Sequence, residues 1–145
     1  MKKTVLFICT HNSARSQMAE GLVNFFFNTD YEAFSAGTMG TKVNQYAVRV
    51  MEEIGIDIRG QYSKSIQVFK DVKFDLIVTV CDNAKESCPF FPGKNIIHRS
   101  FKDPAAVQGS DGDKLKAFRD VRDEIFKWLK EEFSTDLVDG FKNNF

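Results

Sequence analysis

Two short runs of the chain are apolar almost throughout, Thr4-Val-Leu-Phe-Ile8 and Leu76-Ile-Val-Thr-Val80. Strands buried on both faces read this way, whereas strands with one wet face alternate. Met18, Leu22 and Phe25/Phe26 recur at helical spacing after the first run, and Ala47, Met51 and Ile54 do so before Gly55. Tyr31–Phe34 and Asn95–His98 are strand-sized and predict two further strands. Phe118, Val121, Ile125 and Trp128/Leu129 form the apolar stripe of a long charged helix. Strands alternating with helices predict a four-stranded parallel sheet flanked by helices on both faces, a Rossmann-like three-layer α/β fold. No repeat or Pro/Gly/Ser linker interrupts the pattern, so residues 1–145 read as a single domain. Residues 134–145 form a C-terminal extension, either docked or frayed.

In parallel sheets ligands collect beyond the carboxyl ends of the strands. Three chemically rich segments begin at such ends: Cys9, Cys81 and the stretch from His98 to Asp103. Bulk composition narrows the partners. Twenty basic and twenty acidic residues cancel, so no net field favours nucleic acid or an anionic membrane. The apolar runs are far shorter than the roughly 20 residues of a membrane span, and the basic Met1-Lys2-Lys3 start leads into no secretory h-region. A cytoplasmic protein is expected. Three cysteines, an odd number, make no structural disulfide framework.

Cys9 and Arg15 bracket a short segment that leaves a strand and opens a helix. Such a loop can aim successive backbone N–H groups at one point, the helix N-terminus adds about half a positive charge, and the Arg15 fork suits two oxygens of a tetrahedral oxyanion. The same field lowers a free cysteine pKa from about 8.5 towards roughly 3.5–7.5. Ser13 and Ser16 are placed to bond the sulfur or the loop, and Asn12 to hold a strained turn. By spacing alone Cys9 could instead be a buried strand-end thiol. The run Cys9-Thr-His-Asn-Ser-Ala-Arg-Ser-Gln-Met-Ala-Glu-Gly21 resembles the nucleophile loop of low-molecular-weight tyrosine phosphatases, and still more that of the thioredoxin-coupled arsenate reductases on the same fold. Ser35-Ala-Gly37 is similar to the family's second-strand motif, and the likeness runs from Lys3 to about Lys130.

The resemblance implies that Thr10, His11, Asn12, Ser13, Ala14, Arg15 and Ser16 bind the oxyanion, and that Cys9 attacks it. Asp103, in Phe101-Lys-Asp-Pro-Ala105, then matches the Asp-Pro general acid, whose pKa burial or a neighbouring anion should raise. By spacing alone Asp103-Pro104 is equally a helix N-cap with proline at the first helical position. Ala105, Ala106 and Val107 follow it, where eukaryotic phosphatases usually carry tyrosines. Cys81 and Cys88 resemble the resolving pair of the reductases. In a continuous helix residues seven apart are separated by about 10.5 Å along the axis, while a disulfide needs Cα atoms about 4.4–6.8 Å apart. A mobile segment that changes shape with redox state is therefore expected.

The implied chemistry is arsenate reduction through a Cys9 adduct and a Cys9/Cys81/Cys88 relay, regenerated by a thioredoxin- or glutaredoxin-like protein, with no organic cofactor or metal. A monomer is expected, and weak phosphatase activity, since phosphate and arsenate share shape and charge. Some reductases of this kind bind potassium near the loop. Asn12, Glu20 and Ser35 match its ligands, and Lys64 stands where those members carry aspartate, either replacing the cation or as a solvated surface charge. The rivals are a low-molecular-weight phosphatase and a non-catalytic oxyanion sensor.

Overall fold

The protein is described here from a computed structural model, which covers residues 2–82 and 90–133. Four parallel strands, β1 (Lys3–Ile8), β2 (Tyr31–Ala36), β3 (Leu76–Thr79) and β4 (Ile96–His98), form one sheet in the order β2-β1-β3-β4. Three α-helices accompany them: α1 (Arg15–Phe26), α2 (Gln45–Glu52) and α3 (Asp111–Phe133). Two short 3-10 turns, Ile66–Phe69 and Pro104–Ala106, complete the described elements. The parallel α/β three-layer arrangement is the one expected from the sequence. The second strand runs two residues further than its apolar run suggests, because Ser35 and Ala36 are fully buried in the ladder with β1.

β1 is central, and its side chains divide the core. Val5 and Phe7 join the larger cluster with α1, α2 and α3, while Leu6 and Ile8 join the smaller cluster on the opposite face. Both faces are buried, which explains why the run does not alternate. On the second face Phe34, Phe69, Phe74 and Phe91 meet edge-to-face at centroid distances of 5.4–5.9 Å, a preferred arrangement for aromatic quadrupoles.

Local chemistry sets the element ends. Asn44 caps α2 by accepting from the Tyr46 N–H at 2.8 Å. Gly55, at φ 82°, follows the end of the same helix in the left-handed region that glycine enters without steric cost. Before α3, Ser110 and Asp113 exchange side chain-to-backbone hydrogen bonds at 3.1 and 3.2 Å, a reciprocal capping box. α3 is held to α2 by buried Arg122, which donates to the Val50 carbonyl and to Glu53 at 2.7 and 2.8 Å. Among the described residues no helix is long and apolar enough to cross a membrane.

Candidate active site

The sheet delivers the chemically rich segments to one end. Cys9 follows β1, Gly37 follows β2, Cys81 follows β3 by two residues, and Arg99 to Asp103 follows β4. The ladder continues past the named strands, with the Val80 N–H donating to the Ile8 carbonyl at 2.9 Å. Cys81 Sγ lies 3.7 Å from that same carbonyl oxygen. The second sulfur is therefore on the side of the molecule that holds the first.

Residues 9–15 form a tight loop whose carbonyls are held from outside. The Thr10 carbonyl accepts from the Thr38 N–H at 2.8 Å and the Ser13 carbonyl from the Asn44 N–H at 2.8 Å. The His11 carbonyl accepts from Ser63 Oγ at 3.1 Å, and the Asn12 carbonyl from Gln17 Nε2 at 3.0 Å. In a trans peptide the following N–H points the opposite way, so these anchors turn the N–H groups of residues 11 to 14 towards the interior of the loop. α1 begins at Arg15 with no side-chain cap, which adds helix N–H groups to the same concavity. Together they make an anion nest.

Asn12 is the one non-glycine residue with positive φ (51°) among the described residues. Asparagine tolerates this region because its side chain can bond locally. Here its Oδ1 accepts from the Lys64 N–H (3.0 Å) and Gln17 Nε2 (2.9 Å), and its Nδ2 donates to Ser16 Oγ at 2.7 Å. Ser16 Oγ in turn lies 2.8 Å from Cys9 Sγ. A free, buried Cys9 thus ends a chain of hydrogen bonds that begins at Lys64, 52 residues after Asn12.

Arg15 is buried and donates to the Phe101 carbonyl at 3.2 Å, and its Nη2 lies 3.8 Å from Asp103 Oδ2. That contact brings Asp103 to the loop. Asp103 also accepts from the Ala105 N–H at 3.0 Å, with Pro104 at the first position of the 3-10 turn. The N-cap geometry and the site geometry therefore coexist in one side chain. Thr10 and Ser13 are half-buried, Ala14 is buried and His11 is exposed on the loop. Cys81 is disulfide-bonded. Cys88, and with it the expected change of shape between the two later cysteines, lies outside the described residues.

Lys64 is buried rather than solvated, at 7% exposure. Its ammonium donates to the Tyr62 carbonyl (2.8 Å), sits 4.4 Å above the Tyr62 ring and lies 3.9 Å from Glu20 Oε1. Glu20 also accepts from Ser35 Oγ at 2.7 Å. Burial pushes the Glu20 carboxyl up, opposed by the Ser35 hydrogen bond and the Lys64 charge. Burial pulls the Lys64 ammonium down, opposed by Glu20. Desolvation leads in both, so this pair holds the loop in shape at an electrostatic cost. Two supports escaped the sequence reading. Gln17 is fully buried and bonds Asn12 and the Tyr62 carbonyl. At Gly37 a Cβ would lie 2.7–2.8 Å from backbone atoms of Cys9, Thr10 and Asn12, so the loop leaves room there for glycine alone.

A cysteine and an arginine set around an anion nest at the end of a central parallel strand define a class of α/β oxyanion-handling proteins. The chain belongs to one family within it, the low molecular weight phosphotyrosine protein phosphatases, whose family model matches residues 4–137. Among its relatives, an arsenate reductase of Halalkalibacterium halodurans is 45% identical over 130 residues, covering 89% of this chain and 94% of that one. A solved arsenate reductase in its reduced state is 30% identical with a TM-score of 0.73, covering 92% and 98% of the two chains. Another, in a phosphate-binding state, is 30% identical with a TM-score of 0.68 and the same coverage. The likeness to arsenate reductases on a phosphatase fold, read from the loop, is thereby borne out.

Proposed function

We propose that the protein is a cytoplasmic, monomeric arsenate reductase that uses its cysteines as the two-electron donor. The observation that carries this reading is the free Cys9 sulfur, bonded to Ser16 beside the anion nest, with Cys81 at the end of the neighbouring strand. Arsenate binds the loop from Thr10 to Ser16, with Arg15 on two of its oxygens. Cys9 thiolate attacks arsenic while Asp103 protonates the departing oxygen, which leaves as water. Cys81 attacks the Cys9 sulfur, and the sulfur–arsenic electron pair stays on arsenic. As(V) becomes As(III), and two thiols become one Cys9–Cys81 disulfide. Cys88 then attacks Cys81 and frees Cys9, and a thioredoxin-like dithiol reduces the remaining disulfide.

The test is arsenate reduction with a thioredoxin recycling system, comparing wild type with Cys9→Ser, Cys81→Ser and Cys88→Ser. Each variant is expected to lose sustained turnover. Normal turnover of Cys88→Ser would remove the last exchange from the scheme. The family match also favours phosphatase activity as a second reading. Phosphoester hydrolysis undiminished in Cys81→Ser, together with no thiol oxidation by arsenate in wild type, would establish that reading instead.

A further inference from the structure

The end of the sheet away from Cys9 holds a cavity of ≈ 680 Å³. It lies between the segment that enters β3, residues 70–75, and the segment that enters β4, residues 91–95. Both segments precede their strands, so the cavity opens at the amino ends while the anion nest opens at the carboxyl ends. Its volume falls within the roughly 300–1,000 Å³ usual for small-molecule sites.

Its chemistry is specific. Phe74 and Phe91 line it and lie at a centroid distance of 5.9 Å. Both are buried and belong to the aromatic cluster on the second face of the sheet, so this wall is preformed. Val72 adds an exposed apolar rim. Around that surface stand three ammonium groups, Lys70, Lys73 and Lys94. None of them makes an ion pair among the described residues. Of the two acids in the lining, Asp75 is committed elsewhere, accepting from the Thr4 N–H at 2.7 Å and from Thr4 Oγ1 at 3.2 Å. Those bonds orient Asp75 but leave its charge in place, so the lining sets three ammonium groups against two carboxylates, Asp71 and Asp75, a surplus of one positive charge.

An apolar aromatic wall rimmed by a surplus of positive charge suits a ring that bears an anionic group. A cation meets the wrong field there, and a bare inorganic anion leaves the aromatic surface wet. We propose that this cavity is a second binding site, separate from the oxyanion loop, for a small aromatic anion such as an aryl carboxylate or aryl sulfonate. The ring packs against Phe74 and Phe91, and the lysines hold the charge.

The probe is 8-anilinonaphthalene-1-sulfonate, titrated into the full chain and followed by fluorescence and by two-dimensional amide NMR. The expected result is saturable 1:1 binding that excess phosphate does not displace, with amide shifts concentrated in residues 70–75 and 91–95. Lys73→Glu/Lys94→Glu is expected to weaken binding about tenfold or more through loss and reversal of charge. Both lysines are exposed and distant from the loop, so arsenate turnover and Tm should stay at wild-type values in that variant. Displacement by phosphate would place the probe in the oxyanion loop and overturn the proposal. Unchanged affinity in the double variant would also overturn it, placing the probe on another apolar surface such as exposed Phe25 and Phe26. The shift map on wild type decides the matter even if the variant folds poorly. The binding test does not depend on the reductase reading, because it succeeds or fails whether or not the chain reduces arsenate.

Discussion

Replacing Gly37 with alanine tests how tightly the loop is built. A Cβ there would lie 2.7 Å from the Cys9 carbonyl oxygen, 2.7 Å from that of Thr10 and 2.8 Å from the Asn12 nitrogen. All three are backbone atoms, so no side chain can swing aside. Gly37 cannot easily retreat, because its N–H donates to the Lys64 carbonyl at 2.9 Å and its own carbonyl accepts from the Ile66 N–H at 2.8 Å. Relief requires contacts of 2.7 Å to open to the 3.4 Å of ordinary packing, a movement of 0.7 Å in the loop that carries Cys9. Overpacking of this kind costs about 1–3 kcal/mol, and each kcal/mol lowers Tm by about 2–4 °C at this size. A misplacement near 1 Å costs about a hundredfold in rate, so kcat/KM for arsenate is expected to fall by about 10- to 100-fold. The assays are thioredoxin-coupled turnover, phosphate binding by calorimetry and thermal unfolding. A folded Gly37→Ala protein whose kcat/KM and phosphate affinity stay within about threefold of wild type would refute the claim that close backbone approach sets the loop.

Ser16→Ala removes the hydroxyl that meets the Cys9 sulfur. A hydrogen bond to a charged group contributes about 1.5–3 kcal/mol, so kcat/KM should fall by about tenfold or more, and the buried Asn12 Nδ2, left without its acceptor, should lower stability by about 1–3 kcal/mol. Lys64→Met leaves Glu20 buried without its cation, which should lower stability by about 3 kcal/mol in denaturant unfolding. Adding Glu20→Gln should recover much of that loss, and additive effects would show that the two groups do not interact. Glu53 is held down to about 2, first by the Arg119 hydrogen bond and also by Arg122. Its folded pKa lies below its unfolded value, so its contribution is present above about 4.5 and is lost as pH falls towards about 2. Glu53 is more than a third exposed, so screening reduces the contribution to about 1 kcal/mol. Glu53→Gln should therefore lower Tm at pH 7 and match wild type near pH 2, and a gap that persists at pH 2 would contradict the assignment.

The parts of the fold that were legible in the sequence are those where burial imposes a period. β1 and β3 are covered on both faces, and α3 carries its stripe at helical spacing through Phe118, Val121, Ile125 and Leu129. The loop from Cys9 to Arg15 was legible because its residues are contiguous. What was left open, as for Lys64, or missed, as for Gln17, depends on contacts distant in sequence. Lys64 has the composition of a surface residue, and its burial is set by Glu20 on α1 and the Tyr62 ring. Gln17 sits in a run that reads as the polar start of a helix, yet Gln61, 44 residues on, donates to its side chain at 2.8 Å and encloses it. The tightness at Gly37 appears only when β2 is laid beside β1. Ser65 caps the Ile66–Phe69 turn, but four residues carry no periodicity to announce them.

The bond from Val80 to Ile8 carries a kinetic consequence. It joins the backbone leading to one sulfur to the backbone leading to the other, across one strand spacing of about 4.8 Å. Any exchange between them is unimolecular, at an effective molarity that diluting the protein does not touch. Reduction by an outside dithiol remains a collision between two molecules. Varying the enzyme and reductant concentrations independently should therefore divide the cycle cleanly, with the internal steps on one side and the visit of the partner on the other.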